Sequence, residues 1–427
     1  MRKMKSLITL TILILLLSSL AACVRPESQS SSSKSTDGKS TKVNSNEKIE
    51  GPIKVGVVIP LSGPSSQIGE QVKKGYELAL EKINASGGVK ALNGAKLEFV
   101  YADHTGKPDV GAREAQRLVN DEKVVMLTGS YESGVTMAVA QAAERMGVPY
   151  LVPYSAGNII TESGFKNTFR TRPPSKVWVE TQYEFLKYLN DNFSKNITKV
   201  ASLWEDGAWG QGTGTDIKEI GKKYGLDIVA DVSFRSGSQD LSTQLTKIKS
   251  SGANAILAAS YLNDTMKAQQ TMASLNFQRP YLSIGTTEVH DDFFQLGKLA
   301  EGQVGSTAWL PDISEIAKKV GEEFQAKFGN AMNDDAAYAY SASYIIHEAL
   351  EKSASIDSKQ LRDTFATTEF TSPDANIIPT KEGKIKFNEK GQADALIMIG
   401  QAQEGKWVTI WPEKYASKKF VDSQWFK

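Results

Sequence analysis

The chain has 427 residues, 40% of them hydrophobic and 23% charged, with a formal net charge of +1. One hydrophobic core stops growing near roughly 250 to 300 residues, so two domains are the default for this length. A near-neutral chain without a Lys/Arg-dense stripe and interleaved aromatics argues against nucleic acid as a partner. The three histidines, His104, His290 and His347, lack metal-ligand spacing, and neither a metal nor a cofactor is expected.

At the N-terminus, Arg2, Lys3 and Lys5 precede the apolar run Leu7 to Leu17. This is the charged and apolar pattern of an export signal, short of the ~20 residues a spanning helix needs. Leu20-Ala21-Ala22-Cys23 resembles the lipobox of bacterial lipoproteins, which implies a signal peptide over 1–22 and a lipid on Cys23. Cys23 is the chain's single cysteine, so no disulfide can form within it. Residues 24–50 are Ser/Lys-rich with few large apolar side chains and cannot fold alone. Residues 23–50 therefore form a lipidated tether, with a reach on the order of 30 Å, on the outer face of the cell membrane.

From Ile53 the pattern alternates. A β-branched run, IKVGVVIPL (53–61), is followed by helical spacing over 70–86, a strand over 96–103, a helix over 110–121, a strand over 123–129, a helix over 132–147 and a strand over 148–154. Near-continuous apolar strands between helices imply parallel sheets covered on both faces. Pro173-Pro174 interrupts the series. A second one follows, with helices over 176–190, 212–225, 242–252 and 264–276 and strands over 198–206, 226–234, 253–261 and 280–285. Helices near 313–328 and 336–352 and short strands in KIKFN, ALIMIGQ and WVTIW complete the chain.

Several segments together resemble the branched-chain amino-acid (Leu/Ile/Val) binding proteins of bacterial ABC importers. They are Val57-Val58-Ile59-Pro60-Leu61-Ser62-Gly63-Pro64 with GYELALEKINASGG, Tyr101-Ala102-Asp103, GSYESG (129–134), AERMGVPYLVPYSA and FKNTFRTRPP. The similarity spans residues 53 to 411. It implies an α/β type I periplasmic-binding-protein fold: two Rossmann-like lobes with parallel sheets, joined by three crossings near 171–175, 303–308 and 375–382. Lobe one would comprise 53–172 plus 306–376, and lobe two 173–305 plus 377–427. Ligands of open α/β sheets sit beyond the carboxyl ends of the strands, and the lobes would close on one there.

The same resemblance implies the site. Ser133, with Tyr154-Ser155-Ala156, would hold a ligand carboxylate by hydroxyl and free backbone N–H groups. Trp209 and Tyr261 would form walls, Glu288 would meet an ammonium group, and Tyr131 would add aromatic surface. The family commonly has threonine where this chain has Ala156, so one hydrogen bond must come from elsewhere. Ile68 stands where aliphatic binders often carry an aromatic.

Enzyme chemistry is not expected. Tyr131-Glu132-Ser133-Gly134-Val135 lacks the first glycine of a G-x-S-x-G elbow and has Val135 where the second should stand, and no histidine has a triad context. Gly210-Gln211-Gly212-Thr213-Gly214 matches neither a dinucleotide nor a P-loop fingerprint. The expected protein is a monomeric, lipid-anchored receptor that captures an amino acid, branched-chain or aromatic, or a related carboxylate, for a membrane ABC permease. The alternatives are a sensor subunit acting on a signalling partner and a binder of an amide, urea-like or aromatic compound.

Overall fold

A computed structural model describes residues 49–285 and 289–426. The export signal, Cys23, most of the tether and Glu288 lie outside the described residues.

Strand β1 (Ile53–Ile59), helix α1 (Ser66–Ala85), β2 (Leu97–Asp103), α2 (Pro108–Asn120), β3 (Leu127–Gly129), α3 (Ser133–Met146), β4 (Tyr150–Val152), α4 (Ile159–Glu162) and β5 (Thr168–Arg170) build the first layer. Its five strands run in the order β2-β1-β3-β4-β5, every pair parallel. Next come α5 (Ser175–Phe193), β6 (Lys199–Glu205), α6 (Ala208–Lys223), β7 (Asp227–Phe234), α7 (Ser242–Ser250), β8 (Ala255–Ala259), α8 (Leu262–Ser274) and β9 (Tyr281–Ser283). These form a second parallel sheet, β7-β6-β8-β9.

The chain then forms β10 (Val304–Thr307) and returns to the first layer with α9 (Glu315–Phe328) and α10 (Asp334–Ser353), the latter packed on α1. Helix α11 (Ser358–Thr367) and the small hairpin of β11 (Glu369–Phe370) and β12 (Ile385–Lys386) follow. Finally β13 (Met398–Gln403) and β14 (Lys406–Trp411) join β10 in an antiparallel sheet. Ser306 Oγ donates to Ser283 O at 2.8 Å, tying this sheet to the end of the second one.

The α/β alternation read from the sequence is present, with informative differences. Helix α1 begins at Ser66, four residues before the expected start. Its first turn passes so close to the end of β1 that a Cβ on Gly69 would lie 1.8 Å from Pro60 O, an approach only glycine permits. The run 123–129 pairs regularly only over Leu127–Gly129, because Lys123 turns back at φ 60° before it. Helix α11 was not anticipated. Only its Leu361 and Phe365 are buried, too thin a stripe for periodicity to reveal.

In each parallel sheet the strand order reverses at one strand. In the first sheet β1 lies between β2 and β3, and in the second β6 lies between β7 and β8. The loops leaving β1 and β3, and those leaving β6 and β8, therefore diverge and open a crevice at the carboxyl ends, where ligands of such sheets bind.

Candidate functional site

GSYESG runs from the last residue of β3, through a short loop, into the first turn of α3. Gly129 adopts φ +112°, and a Cβ there would lie 2.4 Å from Val58 O, so glycine is required for β3 to lie this close to β1. Ser130 follows at φ 56°. The turn is fixed from β4: Ser155 Oγ lies 2.8 Å from Tyr131 O and 3.2 Å from Ser130 O and also bonds Thr136, while Tyr150 Oη donates to Gly129 O at 3.0 Å.

Helix α3 starts at Ser133 without a side-chain cap on its first turn, which leaves backbone N–H groups and the positive end of the helix dipole for an anion. Ser133 Oγ accepts the Gly157 N–H at 3.1 Å, leaving its own hydrogen to donate to an occupant of the cleft. The N–H groups of Ser155 and Ala156 make no hydrogen bond among the described residues.

Across the cleft, Trp209 is the second residue of α6 and Tyr261 leads into α8. Trp209 Nε1 donates to Ser175 Oγ at 3.1 Å, and Ser175 Oγ in turn donates to Ala156 O at 3.1 Å. This chain of bonds fixes the indole plane and consumes its donor. The Trp209 and Tyr261 ring centroids are 5.0 Å apart, and Tyr261 meets Tyr131 from the first layer at 5.8 Å. Burial pushes the phenols of Tyr131, Tyr154 and Tyr261 well up, so all three stay neutral.

Tyr131, Ser133, Tyr154, Ala156, Trp209 and Tyr261 thus enclose one cavity of about 20 Å³, together with Arg172 and Gly285. Ser155 sits behind that wall, 1% exposed, with its hydroxyl spent on the turn. Glu288 lies outside the described residues. The cavity has room for about one water molecule, so a larger ligand enters only if the two walls part. Outside the Trp209–Tyr261 pair the cleft widens to about 1010 Å³, with Glu132, Glu205 and Asp264 on its walls. Burial raises all three carboxyls. Glu205 accepts the Gly207 and Gly210 N–H groups at 2.6 and 2.7 Å, which caps α6.

Sequence reasoning missed Arg172. It appeared only as part of a Pro-flanked boundary, yet its side chain is 2% exposed and lines the cavity. It pairs with Asp335 at 3.1 Å and Asp334 at 3.6 Å, donates to Gly285 O at 2.8 Å, and lies about 5 Å from the faces of Trp178 and Tyr338. Burial opposes its charge, but the two aspartates outweigh burial and hold the guanidinium protonated. Asp335 is pushed up by burial and by Asp334, against the pull of Arg172. The available signal was an arginine beside a predicted crossing together with an Asp-Asp pair opening a helix.

The glycines of Gly210-Gln211-Gly212-Thr213-Gly214 lie inside α6, not in a loop. Gly210 packs against Glu205 O and Gly214 against the Trp204 ring, so their role is helix–strand packing.

Two parallel α/β layers whose strand ends meet across one cleft define the type I periplasmic-binding fold. The periplasmic binding protein family model matches residues 52–406, and the chain belongs to that family. It is 27% identical over 388 residues to Leu/Ile/Val-binding protein homolog 7 of Brucella abortus (strain 2308), covering 85% of this chain and 92% of that one. In fold it is similar to the branched-chain amino acid transporter substrate binding protein LivJ from Streptococcus pneumoniae, solved in complex with isoleucine. That likeness has TM-score 0.73 and 22% identity and covers 84% of this chain and 99% of that one. An ABC transporter solute binding protein from R. palustris, in complex with benzoate, gives TM-score 0.75 and 20% identity, covering 88% and 99%. By family the chain is accordingly an extracytoplasmic binding protein and not an enzyme. Among the described residues no helix is long and apolar enough to cross a membrane.

Proposed function

We propose that this protein is a lipid-anchored receptor that captures a small carboxylate, an amino acid with a branched or aromatic side chain or an aromatic acid, and hands it to a membrane ABC permease. The observation that carries this reading is the uncapped start of α3 with the Ser133 hydroxyl, set opposite Trp209 and Tyr261 across one cavity. The free N–H groups at Ser155 and Ala156 take the part of the missing threonine. Glu288 or a neighbour would meet an ammonium group. We place lobe one at 53–172 plus 306–376 and lobe two at 173–305 plus 377–427, so that closure brings Tyr131 onto Tyr261. Cys23 carries the lipid, and residues 24–50 join it to the lobes.

Thermal-shift screening of aliphatic amino acids, aromatic amino acids and aromatic acids tests the ligand class. A true ligand at 100 times its Kd adds roughly 2.7 kcal/mol of stability. No shift with any of the three classes overturns the reading. Delivery is tested by the ATPase activity of purified permease, which should rise with the loaded protein. Anchoring is tested by Cys23→Ala, which should release the protein from cells.

A further inference from the structure

The buried arginines Arg170 and Arg172 stand in opposite electrostatic settings. Arg172 is paired with two aspartates. Arg170, the last residue of β5, is 0% exposed, and its hydrogen bonds go to uncharged oxygens alone. Nε donates to Gln392 Oε1 at 2.6 Å, Nη1 to Gly157 O at 2.6 Å and to Ser155 O at 3.4 Å, and Nη2 to Thr161 Oγ1 at 2.9 Å. Among the described residues it makes no ion pair. The carboxyl whose charge reaches it is that of Glu162, which is paired with Lys176 at 3.0 Å in a bridge open to solvent. Burial pushes the Arg170 guanidinium down to about 9, so it remains charged at neutral pH.

A buried charge is costly unless an opposite charge stands near it. The acceptors of Arg170 show where that opposite charge belongs. Two of them, Ser155 O and Gly157 O, lie in the turn after β4, whose Ala156 lines the ligand cavity. Ser155 O and the Ala156 N–H belong to one trans peptide unit and point in opposite directions. With the oxygen drawn to Arg170, the unbonded Ala156 N–H is turned away from the guanidinium. Gly157 ties the same arginine to Ser133: its O accepts from Arg170, and its N–H donates to Ser133 Oγ at 3.1 Å. Hydrogen bonds linked in this way polarise one another, and a charge at one end strengthens the donors at the other. Arg172, although it lines the cavity, cannot take this part, because Asp334 and Asp335 already outnumber it.

We propose that Arg170 is the counter-charge of the ligand's carboxylate, set behind the 155–157 turn and never touching the ligand. It is a positioning residue: it orients the turn by its carbonyls and places positive potential behind the donors of the cavity wall. The inference rests on the carboxylate reading of the cavity. It assigns specificity as well, since a cation there favours an anionic ligand over a neutral one of the same shape.

The test uses Thr161, which accepts from Arg170 but does not line the cavity. Thr161→Asp sets a carboxylate beside the guanidinium and cancels its charge, whereas Thr161→Asn has the same shape without the charge. L-leucine, L-phenylalanine and benzoate are titrated by calorimetry into the full protein and into both variants. Each probe that binds the parent should bind Thr161→Asp about tenfold more weakly and Thr161→Asn within about threefold of the parent. Equal affinities for the two variants overturn the inference and leave the carboxylate reading standing. Failure of all three probes to bind the parent overturns that reading, and the inference with it. If Thr161→Asp loses the native far-UV spectrum, Arg170→Lys and Arg170→Gln decide. The lysine variant, which keeps the charge, should bind about fivefold more tightly than the glutamine variant, which keeps only a donor; equal affinities overturn the inference.

Discussion

The two walls of the cleft are built from the same α/β grammar but carry different chemistry. The first-layer wall presents Ser133, Ala156 and an uncapped helix start, groups that donate hydrogen bonds and leave space. The second-layer wall presents Trp209 and Tyr261, while its carboxylates are bound to their own loops: Glu205 to Gly207 and Gly210, Asp264 to Gly237 and Ser236. Even the Trp209 N–H is directed to Ser175. Division of labour follows from this contrast. One wall offers hydrogen-bond donors of the kind that suit an anion, and the other offers aromatic area.

Removing the charge beneath both walls should have the largest effect. Arg172→Met leaves Asp334 and Asp335 buried without their counter-charge, which costs about 3 to 5 kcal/mol. Urea denaturation reads this directly, and a loss below about 1 kcal/mol would show that Arg172 is not the counterion.

Acid should set His104 against the buried carboxyls of both walls. His104, behind the first, accepts the Gly106 N–H and is pushed down by burial from 6.5 to about 4. The unfolded chain therefore binds its proton first, and stability falls as pH drops from 6.5 to 4, by roughly 3 kcal/mol in all. Glu132, 3.5 Å from His104 on the first wall, and Glu205 and Asp264, behind the second, are raised by burial and act in the opposite sense. The stability they withhold when ionised is regained as pH falls through their folded pKa values. Denaturation midpoints of His104→Gln between pH 7 and pH 5 should be flatter than those of the parent, and parallel curves would remove His104 from the account.

Within the cavity, Trp209→Ala should weaken the ligand on the order of thirtyfold, about 2 kcal/mol, by removing the cover. Trp209→Phe should lose less, and calorimetry with the ligand from the thermal screen distinguishes them. Ser133→Ala should cost a carboxylate ligand about tenfold; unchanged affinity would assign the anion to the backbone alone. Smallest of all, Ala156→Thr should strengthen an α-amino acid by about 1 kcal/mol, roughly fivefold, through the restored hydroxyl. A weaker complex would show that this side chain's space is occupied by the ligand itself.

Much of the site was legible because it lies at strand ends. Ser133, Tyr154, Trp209 and Tyr261 each follow an apolar run that reads as a strand, and such positions face the crevice in any doubly wound sheet. Ser155 shows where that reasoning stops, since its neighbour lines the cavity while its own hydroxyl turns back to hold residues 130 and 131. No local pattern distinguishes those two directions.

The sequence by itself determined the alternation of strands and helices and the family, because hydrophobic periodicity and turn residues are local signals. Only the tertiary structure decided that Arg172 pairs with Asp334 and Asp335 and that Trp209 is aimed by Ser175. Those facts join residues 34 to 163 positions apart, and contacts at such separations are set by how layers pack, which no window along the chain contains.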